Sequence, residues 1–118
     1  MANYLLGVIE PQGQGIPAPE ILEPIMANVE AVTNEMIEAG VWVAAGGLEG
    51  TGSAKTVRNG SGEGIVSDGP FVEAKEYLGG FSVIDVANEE EAVEWAKKIS
   101  EATTLPIEVR KFRGDLRK

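Results

Sequence analysis

The sequence predicts one α+β domain in which two helices cover one face of a four-stranded sheet. Three observations carry this prediction: the chain has 118 residues, its apolar segments alternate between strand-like and helix-like spacing, and no linker divides them. A length of roughly 100–150 residues is typical of a single domain. With 43% hydrophobic and 25% charged residues, the composition is that of a folded protein rather than a disordered one.

Four short apolar segments, rich in branched and aromatic residues, predict the strands. They cover residues 3–9, 41–45, 80–86 and 107–112. Two further strand-like segments, 56–58 and 65–66, flank the turn dipeptide Asn59-Gly60. This pattern predicts an additional β-hairpin with a loop longer than two residues.

A long first helix is predicted between the first two strands. Apolar residues recur at helical spacing from Ile25 to Met36, and Gly40 suits the left-handed position just after a helix. Because Pro24 has no N–H to donate, we expect the regular helix to begin close to it, with Glu20–Glu23 as a preceding turn or kink.

The second helix begins at a capping-box pattern, with Asn88 as the N-cap and Glu91 three positions later. The resulting order is strand, helix, strand, hairpin, strand, helix, strand. Without the hairpin this is βαββαβ, the ferredoxin-like arrangement. The predicted fold is therefore α+β and ferredoxin-like, with an inserted β-hairpin.

The central strands carry apolar residues on both faces, although the two helices can cover only one. A solvated face would show alternating polar residues. We therefore expect a homodimer in which a second copy covers the other face, since symmetric pairs are the commonest oligomers. The alternative is a monomer in which the hairpin folds over that face. The residues that carry this argument are Leu5, Leu6, Val8, Ile9, Phe81, Val83, Ile84 and Val86.

The chain contains no cysteine and no histidine. Disulfides, thiolate nucleophiles, zinc–thiolate sites and imidazole chemistry are therefore excluded. Glu49 and Ala54 stand where a phosphate-binding loop ending at Lys55-Thr56 needs glycine. We predict no cofactor and no metal site.

A net charge of −9 opposes binding to nucleic acid, because phosphate groups would be repelled. No apolar segment approaches the ~20 residues needed to cross a bilayer, and the N-terminal residues do not have the pattern of a signal peptide. We expect a cytoplasmic protein without nucleic-acid or membrane partners.

The last nine residues, 110–118, form a basic tail within the single predicted domain, residues 1–118. Five of the ten Lys and Arg residues lie there, with Asp115 as the one acidic residue. Two interpretations stay open: a basic arm that captures an anion, or a tail that is solvated or lies on the acidic surface of its own domain.

The segment from Asp68 to Gly80 carries the candidate site. Without histidine or cysteine, a general base must be a carboxylate, a lysine or a tyrosine, and Asp68 and Glu73 are the candidate catalytic residues. The candidate ligand-binding residues include two cations that could hold an anionic substrate; the set is Arg58, Gly69, Pro70, Phe71, Lys75 and Glu76. The alternative is purely structural: a turn held by Gly-Pro, a core Phe71 and a solvated charged segment.

The same segment resembles the signature of the YCII-related proteins, in particular their DGPF-domain branch. That signature is approximately DGPF-x-E-x-KE-x-LGG followed by an aromatic residue. The eleven matching residues are Asp68, Gly69, Pro70, Phe71, Glu73, Lys75, Glu76, Leu78, Gly79, Gly80 and Phe81.

The resemblance implies a ferredoxin-like domain that pairs into a dimeric α/β barrel, in a family whose biochemical role is generally unassigned. A related branch is suspected of catalysis through a His–Asp pair, which this chain cannot have because it lacks histidine. We carry forward three hypotheses: a small-molecule-binding homodimer, with or without catalysis at a carboxylate-lined cleft around Asp68–Glu76; a non-catalytic regulatory or protein-interaction module; and a segment that serves only folding and dimerisation.

Overall fold

The computed structural model describes residues 1–60, 62, 64–114 and 116. A four-stranded antiparallel sheet has the spatial order β2-β5-β1-β6, and two helices pack on one of its faces. A separate two-stranded hairpin, β3-β4, is inserted between β2 and β5. The bounds are β1 Ala2–Pro11, α1 Pro19–Glu38, β2 Trp42–Gly47, β3 Lys55–Arg58, β4 Ile65–Asp68, β5 Glu76–Val86, α2 Glu89–Thr103 and β6 Ile107–Lys111.

This topology confirms the predicted ferredoxin-like α+β fold with an inserted hairpin. The hydrophobic core lies between the sheet and the helices, because alternate residues of each strand face that side. Leu6 and Ile84 from the central strands and Met36 from α1 are fully buried there. Small side chains of α2, Ala92 and Ala96, allow that helix to approach the sheet closely.

Helix α1 begins one turn earlier than the sequence predicts, so the expected start close to Pro24 is wrong. Pro19 occupies the first helical position, where its lack of an N–H costs nothing. The carbonyl of Ala18 accepts bonds from the N–H groups of Ile21 and Leu22, both 2.9 Å, which closes the first turn. Pro24 removes only the bond to the carbonyl of Glu20, on an exposed turn that water can reach.

The end of α1 is a Schellman motif, as the position of Gly40 predicts. Gly40 has φ of +75°, and its N–H donates to the carbonyl of Ile37 at 3.1 Å. The N–H of Val41 donates to the carbonyl of Met36 at 3.0 Å. These two bonds satisfy carbonyl groups that the helix end would otherwise leave free.

The N-terminus of α2 confirms the predicted cap at Asn88, but the Glu91 carboxylate binds a different backbone N–H from the one in a capping box. The side-chain oxygen of Asn88 accepts from the N–H of Glu91 at 2.9 Å. The Glu91 carboxylate accepts from the N–H of Ala87 at 3.0 Å, one residue before the N-cap itself. The cap therefore satisfies one helical donor and secures the chain just before the helix.

The second face of the sheet, called the open face below, carries apolar side chains on its central strands. Leu5, Ile9 and Phe81 are half-buried there, and Val83 is buried among them. The hairpin does not cover this face, since β3 and β4 pack mainly on each other among the described residues. Internal cover by the hairpin, the alternative that would allow a monomer, is therefore not present among the described residues.

The hairpin instead extends from the domain. The radius of gyration is 16.1 Å and the molecule measures 47 × 40 × 20 Å, whereas a compact domain of this length has a radius of roughly 13–14 Å. No helix in the described ranges is long and apolar enough to cross a membrane.

The basic tail begins inside the last strand, because Arg110 and Lys111 belong to β6. These two residues are therefore part of the sheet and not of a free arm. Asp115, Arg117 and Lys118 lie outside the described residues.

Replacing Gly40 with alanine tests the helix end. Gly40→Ala should lower the free energy of unfolding by about 1 kcal/mol, because a side chain is strained at this positive φ. Gly50→Ala is the control, since Gly50 has φ of −59° and no atom lies within 4 Å of its added Cβ. Urea titration at one protein concentration measures both changes. Equal losses in the two variants would contradict the strain argument.

Candidate functional site

A cleft of about 680 Å³ opens between the N-terminal half of α1 and the sheet. Its floor is formed by the ends of β1, β2 and β5, and its roof by α1. The far end is closed by Ile99 and Thr103–Leu105, at the end of α2. This volume lies within the roughly 300–1,000 Å³ typical of small-molecule sites.

The cleft exists because the sheet lacks side chains under the first half of α1. Gly47 of β2 pairs with Gly80 of β5, and the next pair toward the core is Ala45 with Ser82. All four face the helix side, and none is large enough to reach α1. The apolar face of α1 is therefore fully buried only from Val32 onward. Its earlier apolar residues line the cleft, namely Ile21, Leu22, Ile25, Met26 and Val29.

A β-bulge at Gly79 brings two polar side chains into this cleft. Val8 pairs with Gly80 but Ile9 pairs with Leu78, so Gly79 is the extra residue of β5. The register shift places Tyr77 opposite Glu10 on the helix side, and both are half-buried residues of the lining. Bulges commonly redirect a side chain at functional sites.

The lining is mostly apolar, with its polar side chains spread over a few elements. They are Glu10, Gln14, Thr33, Tyr77, Ser82, Thr103 and Thr104. Glu10 is the single charged residue among the described lining residues. No described Lys or Arg forms an ion pair with its carboxylate. The cleft thus combines apolar walls with one negative charge near one end.

The residues that the sequence predicts as a site lie elsewhere, on the hairpin and on the segment that leads from it to β5. Asp68 is exposed and forms an ion pair with Lys55, its partner across the hairpin. The pairing continues past Asp68, since the N–H of Gly69 donates to the carbonyl of Ala54 at 2.7 Å. Gly69 has φ of +96°, a conformation that glycine adopts without strain.

Arg58 and Phe71 are brought together. The Arg58 guanidinium lies over the Phe71 ring, 4.7 Å from its centroid. Phe71 is 69% exposed, so the alternative in which Phe71 belongs to the core is wrong. Because the hairpin extends into solvent, the Phe71 ring contacts the Arg58 guanidinium there and does not reach the core.

The other predicted residues do not converge with this pair. Glu73, Lys75 and Glu76 are exposed, and no hydrogen bond or ion pair in the described part of the chain joins Glu73 to Asp68. The carbonyl of Lys75 accepts from the N–H of Gln12 at 2.8 Å, which ties the segment to the end of β1. Pro70 is half-buried, and none of the eight predicted residues lines the cleft.

Glu10 and Tyr77, the two polar residues that the bulge places in the cleft, are not among the site residues that the sequence predicts. The available signal was the pair of glycine doublets, Gly46-Gly47 and Gly79-Gly80. Small residues facing each other across two strands predict a gap above the sheet. In the described ranges, acidic side chains do not gather into a group that could hold a metal ion.

These features define the class of protein: a ferredoxin-like α+β domain with a protruding hairpin and a glycine-floored cleft. The YCII-related domain matches residues 3–113, and the chain belongs to this family. An uncharacterized protein of Rhizobium meliloti (strain 1021) is similar to it, with 42% identity over 90 residues. The alignment covers 75% of this chain and 73% of that protein.

Replacing Phe71 with alanine tests how the segment after the hairpin is held. Phe71→Ala should speed hydrogen exchange of the Gly69 amide a few-fold, because a cation–π contact at an exposed site contributes about 0.5–1 kcal/mol. Global stability should stay nearly unchanged. Val72→Ala is the matched control, since Val72 is the next residue and its side chain is 64% exposed. Equal acceleration in both variants would show that the Arg58–Phe71 contact does not hold the segment.

Proposed function

We propose that the protein is a homodimer that binds a small molecule in the cleft between α1 and the sheet. The observation that carries this proposal is the cleft itself: about 680 Å³, mostly apolar walls and a few polar groups, the usual composition of a ligand site. In a protein core, an apolar gap of this size would normally be filled by side chains, because empty apolar space loses packing contacts. A site that binds a ligand explains why the sequence leaves it open.

The open face of the sheet supports the homodimer. Its centre is apolar, with Leu5, Ile9 and Phe81 half-buried and Leu78 41% exposed. Its β6 edge is polar, since Glu108 and Arg110 pair with Gly7 and Leu5 and so lie on this face. The Arg110 Nε atom lies 3.8 Å from Glu108 Oε1. An apolar centre with a polar rim is the usual anatomy of a protein interface.

Within the cleft, Glu10 and Tyr77 are the side chains able to exchange a proton with a bound molecule. If the protein is an enzyme, we propose that these two residues carry the acid–base chemistry. Binding alone satisfies the proposal, and a non-catalytic sensor of a metabolite would use the same cleft.

The hairpin supports a second candidate function, a regulatory or protein-interaction module. The hairpin and the segment after it carry several exposed apolar side chains, and such clusters mark interaction surfaces. They are Val57, Ile65, Val66, Phe71 and Val72. In this candidate, Arg58, Asp68, Glu73, Lys75 and Glu76 supply the polar part of the surface.

The dimer is tested at the centre of the open face. Leu78→Glu should shift the protein from the mass of two chains to that of one in analytical ultracentrifugation, because a buried unpaired carboxylate is costly. Circular dichroism checks that the fold survives, which the partial exposure of Leu78 favours.

Val57→Glu on the hairpin is the matched control, since that side chain is 65% exposed. Dissociation by Val57→Glu but not by Leu78→Glu would place the interface on the hairpin. A monomeric wild-type protein at micromolar concentration would overturn the dimer altogether.

The cleft is tested by filling it. N-phenylnaphthylamine, a neutral apolar dye, should fluoresce on binding the wild-type protein, and Gly47→Leu should weaken binding at least tenfold. A Cβ added to Gly47 meets no atom within 4 Å, so the new side chain enters the cleft without a backbone clash. Gly52→Leu adds the same side chain outside the cleft, where its Cβ is also uncontacted.

Two variants of the predicted segment, Glu73→Gln and Lys75→Met, separate the cleft from the segment. They should bind the dye as the wild type does. Loss of binding in these variants, with normal binding by Gly47→Leu, would move the site to the segment. Absence of dye binding to the wild-type protein would contradict the cleft as a ligand site.

A further inference from the structure

The charge of the cleft restricts the ligands that fit it. Glu10 is the one charged group among the described lining residues, so the lining offers no cation to neutralise an anionic ligand. Lys55, Arg58 and Lys75, the cations of the hairpin and the segment after it, do not line the cleft. A carboxylate or phosphate placed there would lose its hydration without gaining a cationic partner, and it would be repelled by Glu10.

We propose that the cleft binds an amphipathic amine, with an apolar body under α1 and a protonated amino group on the Glu10 carboxylate. This inference rests on the proposed ligand-binding function and adds the chemical class of the ligand. A cation that leaves water needs a charged hydrogen-bond partner, and among the described lining residues Glu10 alone supplies one.

The backbone beside Glu10 makes room for its carboxylate. A Cβ built on Gly79 would collide with the Glu10 side chain, its carboxylate included. The carboxylate therefore lies directly over the bulge, in space that any other residue at position 79 would fill. This is a second observation, independent of the cleft volume, that sets the position of the negative charge.

Tyr77 complements the charge of Glu10. It is the cross-strand partner of Glu10, and it is half-buried in the same lining. The face of a phenol ring attracts an ammonium group, and its hydroxyl is an acceptor. Toward the other end, the lining contains Ile25, Val29, Ile99 and Leu105, which suit an apolar body.

Three probes with one body and different head groups test the proposal: phenylbutylamine, phenylbutanol and phenylbutyrate. Isothermal titration of the intact wild-type protein should show the amine binding about tenfold more tightly than the alcohol, and the carboxylate more weakly than either. A charge-assisted hydrogen bond is strong enough for such a ratio.

Two variants assign the preference to Glu10. Glu10→Gln keeps the shape and removes the charge, so the ratio of amine to alcohol affinity should fall to about one while alcohol binding persists. Glu30→Gln makes the same change of net charge on an exposed position of α1 outside the cleft, and it should leave the ratio unchanged. Gly79→Ala, which displaces the Glu10 carboxylate, should also reduce the ratio.

The outcomes separate this inference from the function on which it rests. The inference is overturned if the alcohol or the carboxylate binds best, if the preference survives Glu10→Gln, or if Glu30→Gln removes it equally. It is also overturned if the dye binds and none of the three probes does. Failure of the dye and of all three probes to bind would overturn the proposed ligand-binding function itself.

Discussion

The pairing of β1 with β5 is the constraint on which the rest of the structure depends. This antiparallel register runs from Ala2 opposite Val86 to Pro11 opposite Glu76, and it decides which side chains face the helices. Leu6 and Ile84 are thereby assigned to the core, and Leu5 and Phe81 to the open face. Because side chains alternate along a strand, a shift by one residue would exchange the two sets.

The register does shift once, at Gly79, and the candidate site lies where it does. Toward the far ends of β1 and β5, the large side chains of Leu6, Ile84 and Val86 fill the space below the helices. Next to the bulge, Gly47 and Gly80 leave the sheet bare, and beyond it Glu10 and Tyr77 face the gap. The same two strands therefore build a packed core at one end and a cleft at the other.

The segment that identifies the family serves two parts of the structure. Its first half, Asp68–Phe71, secures the hairpin through the Lys55 ion pair and the Arg58 contact. Its second half, which includes Gly79 and Gly80, forms the bulge and the floor of the cleft. A motif whose charged residues suggest a site thus contributes to the cleft through its glycines, which have no side-chain chemistry of their own.

The order and type of the elements follow from the sequence alone, because local patterns encode them. Period-two and helical spacing, the cap at Asn88 and the glycine at the end of α1 depend on neighbouring residues only. The sequence does not predict the early start of α1. A helix tolerates Pro24 here only because the Glu20 carbonyl, which loses its N–H partner, is exposed to water.

Tertiary structure alone decided where the cleft and the exposed hairpin lie. The sequence allows Phe71 to be a core residue, but the hairpin extends away from the sheet and leaves it exposed. Tyr77 and Glu10 meet because one residue is inserted in β5 and none in β1, a difference that is defined only when both strands are paired. The residue pattern of one strand carries no information about its register with the neighbouring strand. The candidate site is a consequence of that register.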